Sequence, residues 1–322
     1  MKFLVFSDLH IHNYKRFDDN GSRLDATFEC LGLMFDYAAK KGSRHILFAG
    51  DLYDQQRALP HAVVNGTIRA FAYLFDIHPE MQFYAISGNH DMATKNLIHK
   101  QAVSALEHLA EIFDNFHLLD NRSASITDNI RVHGIPYYDY KGDYEAALKQ
   151  TIARLADYEC IDILLIHQTP NYGNPMIAHD VEPWDNIYDY FDVTFCGHIH
   201  KPVDIRDGWY IVGSPMHRDA GDIGDSKRVL LYDTEAGITE ISMAGVFPEF
   251  KKVPAEEAGL HDGYVIPIYK ADEGSQAYDA RFGAEANIDD ILAAYADSMG
   301  LAKEYIKIGT KILHEAQKLT EQ

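Results

Sequence analysis

The chain has 322 residues, 47% of them hydrophobic and 24% charged, with a formal net charge of −20. Such a composition belongs to globular domains rather than disordered chains, and no apolar run approaches the roughly 20 residues needed to cross a bilayer, so no membrane association is expected. The acidic balance argues against tight autonomous binding of nucleic acid, though not against phosphodiester chemistry, because divalent cations reverse the sign of a site locally.

The elements follow in chain order. Phe3-Leu4-Val5-Phe6 predicts a buried strand closed by Asp8-Leu9-His10. Leu24, Phe28, Leu31, Phe35 and Ala38 line one face of a helix, and His45 to Ala49 forms a second strand closed by Gly50-Asp51. Leu59-Pro60 leads into a helix with Val64, Ile68, Phe71 and Leu74 on its apolar face. Phe83 to Ile86 is a third strand, closed by Gly88-Asn89-His90-Asp91, and His133 is placed at the end of a later one, where it lines the cleft. A helix from Tyr144 to Ala156 precedes the strand Ile161 to Ile166, which ends in His167. Val193 to Cys196 ends in Gly197-His198-Ile199-His200. The helical period then stops, and strands are expected at 209–212, 229–232 and 238–241, the last two as a hairpin.

Alternating strands and helices followed by strands alone predict an α/β fold, a mixed two-sheet β-sandwich flanked by helices. This domain is expected to span 1–247. Phe247-Pro248-Glu249 and Val253-Pro254 are expected to form a linker, and residues 248–322 a small C-terminal extension. The extension holds an edge strand at 264–269 and a terminal helix pair carrying the stripes Ile288, Ile291, Leu292, Tyr295, Met299 and Tyr305, Ile308, Ile312, Ala316, Leu319. The pair serves for partner docking or as a reduced cap. Cys30, Cys160 and Cys196 form neither a disulfide framework nor a zinc pattern, and the first strand leaves no room for a signal peptide. A reducing cytoplasm, bacterial or that of a phage-infected host, is the expected location.

A lone Asp or His after a strand is usually a turn former. Five strand ends delivering Asp, His and Asn to one edge predict a dinuclear metal site, because functional groups of α/β sheets collect beyond the carboxyl ends of their strands. Taken together, Asp8-Leu9-His10, Gly50-Asp51, Gly88-Asn89-His90-Asp91, His167 and Gly197-His198-Ile199-His200 resemble the motifs of the calcineurin-like metallophosphoesterases. Within that superfamily Gly50-Asp51-Leu52-Tyr53-Asp54, His133-Gly134-Ile135-Pro136-Tyr137 and Gly213-Ser214-Pro215 leading to Ala220-Gly221-Asp222 resemble the SbcD-type nuclease subunits in their compact, phage-like form.

The resemblance implies that Asp8, His10 and His200 hold one metal, Asn89, His167 and His198 the other, and that Asp51 bridges them. Mixed oxygen and imidazole donors suit Mn²⁺, Fe or Zn²⁺ better than Mg²⁺, and the resemblance implies Mn²⁺. It also implies that His90 stands over the scissile phosphate, with Asp54 or, less favoured, Asp91 orienting its imidazole. The function so implied is metal-dependent DNA exonuclease or endonuclease activity in an SbcC–SbcD-type recombination and repair complex, with the ATPase subunit docking on the C-terminal helices and a homodimer left open. The alternative is a free-standing phosphodiesterase or phosphatase acting on cyclic nucleotides or other small phosphate esters, which suits the acidic surface. A non-catalytic adaptor is disfavoured because no ligand is missing. Cations after the site motifs (Lys15, Arg16, Arg57, Lys95, Lys100, Lys201 and Arg218) are candidates to hold phosphates flanking the scissile one.

Overall fold

The computed structural model describes residues 1–18, 21–55, 58–92, 103–155, 159–169 and 190–268. Two six-stranded sheets face each other. The first runs in the order β12-β11-β1-β2-β3-β4, where β1 is Lys2–Phe6, β2 His45–Phe48, β3 Gln82–Ala85, β4 Phe116–Leu118, β11 Arg228–Asp233 and β12 Gly237–Ser242. Strands β1 to β4 are parallel, and the β11–β12 hairpin returns antiparallel along β1. The second runs β5-β6-β7-β8-β10-β9, from Ser123–Thr127 (β5), Ile130–Ile135 (β6), Ile161–His167 (β7), Val193–Gly197 (β8), Val203–Arg206 (β9) and Trp209–Ile211 (β10). Four of these are parallel, with an antiparallel strand at each edge. The chain is thus the mixed two-sheet sandwich that the pattern predicts.

The period of two along each strand builds three cores. Phe3, Val5, Leu47 and Ile86 of the first sheet meet Val132, Ile163, Leu165 and Phe195 of the second. The opposite faces of the same strands, Leu4, Phe6, Ile46 and Phe83, pack under α1 (Ser22–Lys40) and α2 (His61–Ile77). Leu164, Ile166 and Cys196 pack under α4 (Lys141–Ile152). Burying each large side chain contributes about 1.5–3 kcal/mol, which sets every strand end against a rigid floor. Helix α1 starts where the Asp18 carboxylate accepts from the N–H groups of Gly21 and Arg23, at 2.9 and 2.8 Å.

Several elements differ from expectation. The buried face of α2 is Val63, Thr67, Phe71 and Leu74, with Val64 and Ile68 at its margin, because the helix is rotated by one position on the sheet. Helix α4 starts at Lys141, ahead of its apolar residues. The sequence leaves β4, β5, β9 and α3 (Glu107–Ile112) unmarked: β4 and α3 are short, and β5 and β9 have no buried residue and no continuous apolar run. The stretch read as a linker at Val253-Pro254 belongs to β13 (Phe250–Pro254), which pairs with β14 (Tyr264–Ile268) in a separate two-stranded sheet. Pro267 is accommodated there because a two-stranded sheet consists of edges.

The chain divides into one compact unit of Met1–Lys252 with Leu260–Ile266, and a second of Val253–Gly259 with Pro267–Gln322. The terminal helix pair lies outside the described residues, which contain no helix long and apolar enough to cross a membrane.

Candidate metal centre

The loops after β1, β2, β3, β7 and β8 converge at one edge of the sandwich. Asp8, His10, Asp51 and His198 all have left-handed backbone, with φ of 54°, 50°, 61° and 87°. Such conformations cost of order 1–3 kcal/mol each in a residue with a side chain and persist only where the surroundings enforce them. Here the first two loops interlock: the N–H groups of Asp8, His10 and Ile11 donate to the carbonyls of Gly50, Asp51 and Leu52 at 2.9, 3.1 and 2.8 Å. The third loop is clamped by Asp91, 1% exposed, whose carboxylate accepts from the N–H groups of Asp51 (2.8 Å), Leu52 (3.3 Å), Tyr53 (2.9 Å) and Gly88 (2.9 Å). Gly50 has φ of 93°, and a Cβ there would run into the His167 ring, so that loop admits no side chain.

Two clusters flank Asp51: in one, Asp8, His10 and His200 bring ligand atoms within 4.8 Å of one another, and in the other Asp51 itself, His167 and His198 do the same. A third group, His10, Asp54 and His90, meets the same distance and shares His10 with the first. The Nε2 atoms of His10 and His200 face each other at 3.0 Å. The Asn89 Oδ1 lies 3.1 Å from His167 Nε2 and 2.8 Å from His198 Nδ1. Between the clusters stands Asp51: its Oδ2 is 3.3 Å from His167 Nε2 and 3.6 Å from His10 Nε2. Converging imidazole nitrogens and carboxylate oxygens, with one carboxylate shared, form a donor set suited to two divalent cations.

The imidazoles are aimed from behind. His167 Nδ1 donates to the Ala49 carbonyl at 2.7 Å, which leaves Nε2 as its free donor atom. His200 Nδ1 faces Asp222 Oδ1 at 3.4 Å, and Asp222 is held in turn by Lys227, 2% exposed, whose Nζ donates to Asp222 Oδ1 at 2.9 Å and to the His200 carbonyl at 3.2 Å. Only the Ala220-Gly221-Asp222 motif hinted at this support, and nothing in the sequence marked Lys227.

The charges are strongly coupled. Burial alone would lower His167, but the adjacent Asp51 carboxylate outweighs it and lifts the imidazole to about 9. Burial would likewise raise Asp51, and His167 and His10 instead hold it well below the carboxylate range. Burial together with the His167 charge lowers His198 to about 4. Burial and the neighbouring Asp51 charge raise Asp91 to about 7. A pair of cations would take over the charge balance that protons provide here, so metal uptake should release protons.

His90 and Asp54 depart from expectation. The His90 Nδ1 lies 2.5 Å from the Asp54 main-chain carbonyl, so it carries the proton and donates, leaving Nε2 toward the cleft. The Asp54 carboxylate stays within 4.8 Å of the His90 ring but makes its ion pairs with others: Oδ1 is 3.4 Å from His10 Nδ1 and 3.8 Å from the Arg218 guanidinium, and Oδ2 is 3.9 Å from His12 Nδ1. Burial raises this acid, yet His10, Arg218 and His12 outweigh it and bring it to about 2. Asp91 is spent on main-chain N–H groups and does not orient His90. His133 sits inside β6 rather than at its end, with 0% exposure, bonded to Ser123 Oγ at 2.7 Å and Asp162 Oδ1 at 2.8 Å, so it does not line the cleft. Lys201 is exposed and 3.8 Å from Asp225, while Arg218 joins the site through Asp54. Arg57, Lys95 and Lys100 lie outside the described residues. Tyr137, which closes the motif His133-Gly134-Ile135-Pro136-Tyr137 but had no role assigned, sets its ring 5.4 Å from that of His198.

The family model described as calcineurin-like phosphoesterase matches residues 1–202. The chain is 26% identical over 244 residues to exonuclease subunit 1 of Enterobacteria phage T4, covering 74% of this chain and 67% of that protein. Among solved structures, TT1561 of Thermus thermophilus matches with 16% identity and a TM-score of 0.47, over 75% of this chain and 98% of that one. A dimetal phosphatase from Danio rerio matches with 9% identity and a TM-score of 0.43, again over 75% and 98%.

Proposed function

Since the chain belongs to the calcineurin-like phosphoesterase family, a family of metal-dependent phosphoesterases with a dinuclear centre, we propose that its substrate is DNA and that it is the nuclease subunit of an SbcC–SbcD-type complex in the cytoplasm. The observation that carries the chemistry is Asp51 Oδ2, placed between His10 Nε2 and His167 Nε2 with a donor cluster on either side. The likeness to a phage exonuclease subunit supports a nucleic-acid substrate and a partner subunit. The ATPase as that partner, docking on the C-terminal helix pair that the sequence predicts, follows from the resemblance to SbcD-type subunits alone.

In this reading Asp8, His10 and His200 would hold one cation, Asn89, His167 and His198 the other, and Asp51 both; the mixed oxygen and imidazole donors suit Mn²⁺, Fe or Zn²⁺, and the family resemblance points to Mn²⁺. When bound, the pair supplies an activated water and neutralises charge on the phosphoryl oxygens. The protein's own part is positional. The Asp54 carbonyl fixes the proton on His90 Nδ1, so His90 Nε2, once protonated, can deliver a proton to the leaving oxygen. The Asp54 carboxylate and Arg218 hold His10 in place from behind.

The test is Mn²⁺-dependent hydrolysis of end-labelled linear DNA by the purified chain, with a cyclic nucleotide as competing substrate. DNA cleavage that falls by about 10²–10⁴-fold in His90→Ala, with bound metal retained, is expected. Turnover of the cyclic nucleotide without DNA cleavage would replace this reading with that of a free-standing phosphodiesterase.

A further inference from the structure

Beyond His10 the chain leaves the metal ligands and walls a cavity of about 660 Å³. Tyr14, Lys15 and Arg16 form one side of it, and Ala58, Leu59 and Pro60, at the entry to α2, form an apolar side. Lys15 and Arg16 are exposed, and among the described residues neither has an ion-pair partner, in a chain whose net charge is −20. The nearby acids among the described residues, Asp18 and Asp54, are engaged elsewhere. The Asp18 carboxylate is engaged by the N–H groups of Gly21 and Arg23, and that of Asp54 by His10 and Arg218.

This wall is built, not draped. Arg23, 5% exposed, donates from Nη1 to the Arg16 carbonyl at 2.9 Å and from Nη2 to the Arg218 carbonyl at 2.6 Å. Its guanidinium lies 3.7 Å from the Tyr14 ring centroid, with the Tyr264 and Phe250 rings at 4.7 and 5.2 Å on other sides. Tyr14 in turn donates its hydroxyl to the carbonyl of His10 at 3.0 Å. The main chain that carries Lys15 and Arg16 is therefore fixed to the same unit that aims a metal ligand. Two exposed cations on a fixed main chain, beside a short apolar wall, suit a phosphate with a sugar and base attached.

We propose that this cavity is a second phosphate site, which takes the phosphodiester neighbouring the scissile one in a polynucleotide strand. The inference rests on the nuclease reading and says where the strand runs: from the metals along the loop between β1 and α1. A diester with no flanking nucleotide does not reach it. Arg23 is a positioning residue for the site, acting through the Arg16 main chain.

The experiment compares the full chain with Lys15→Ala/Arg16→Ala and with Arg16→Gln alone, which leaves the carbonyl that Arg23 binds. Hydrolysis of bis(p-nitrophenyl) phosphate should stay within about two-fold in both variants. For a labelled oligonucleotide, KM should rise about ten-fold in the double variant with kcat little changed, the loss of two charge-assisted contacts. In anisotropy titrations of the same oligonucleotide with metal-free protein, the slope of log K against log salt should fall by about 1.4 in the double variant and about 0.7 in the single one. Unchanged KM and salt slope, with the wild type cleaving the oligonucleotide, would overturn the site and leave the nuclease reading intact. A wild type that turns over the small diester but cleaves no oligonucleotide would overturn the nuclease reading and this site together.

Discussion

Asp8, His10 and Asp51, which the first sheet delivers, stand on left-handed backbone, whereas His167 and His200, which the second delivers, are aimed by hydrogen bonds to their far ring nitrogens. The first wall is shaped by the main chain: interlocked loops, glycines where a Cβ would collide, and the Asp91 clamp on four N–H groups. The second is shaped by side-chain partners, the Ala49 carbonyl and the Asp222–Lys227 pair. His10 shares both habits, with φ of 50° and its far nitrogen Nδ1 3.4 Å from the Asp54 carboxylate, while His198 adds left-handed backbone, φ of 87°, to the second wall. The lesson is that the first wall is a property of folding and the second a property of tuning. Damage to one should appear as lost stability and damage to the other as lost metal affinity.

Asp51 belongs to the first wall but touches both, so it should give the largest effect. Asp51→Asn is expected to abolish phosphodiester turnover and to lower the Mn²⁺ bound per chain, read by metal analysis after gel filtration. Turnover with undiminished metal content would break the picture of a shared carboxylate.

Asp91→Ala comes next. It leaves four buried or part-buried N–H groups without their acceptor, and a loss of about 3–5 kcal/mol in urea unfolding is expected. A loss below about 1 kcal/mol would show that the strained loops hold themselves.

Asp222→Asn probes the second wall. Mn²⁺ affinity at one of two sites should weaken about 10–100-fold by calorimetric titration, with a smaller loss of stability than Asp91→Ala. Equal stability losses in the two variants would erase the distinction between the walls.

The smallest effect concerns Asp120, which accepts from the main-chain N–H and hydroxyl of Ser87 at 2.8 and 2.6 Å, at the root of the Asn89 loop. Burial pushes its carboxyl up to about 6. Between roughly pH 4 and 6 the native state therefore holds more protons than the unfolded one, and this contribution to stability, present below about 4, is lost as the pH rises through 6. Asp120→Asn should flatten that part of the stability profile in thermal melts. An unaltered slope would remove Asp120 from the account.

The sequence by itself determined the two-sheet α/β architecture and the five strand ends that bear Asp, Asn and His. These are local signals: a continuous apolar run marks a strand buried on both faces, and the polar residue just past it marks the edge. The elements it left out were very short, such as β4, or carried no continuous apolar run, such as β5 and β9. Only the tertiary structure decided which donors meet, since His10 and His200 approach to 3.0 Å across 190 positions of chain. It decided that the Asp54 carbonyl, not its carboxylate, holds His90, and that His133 is sealed behind Asp162 while Lys227 reaches the back of His200. A residue's type and neighbours in sequence specify what it can donate or accept. Where that group points depends on contacts between loops that only the packing of one sheet on the other brings together.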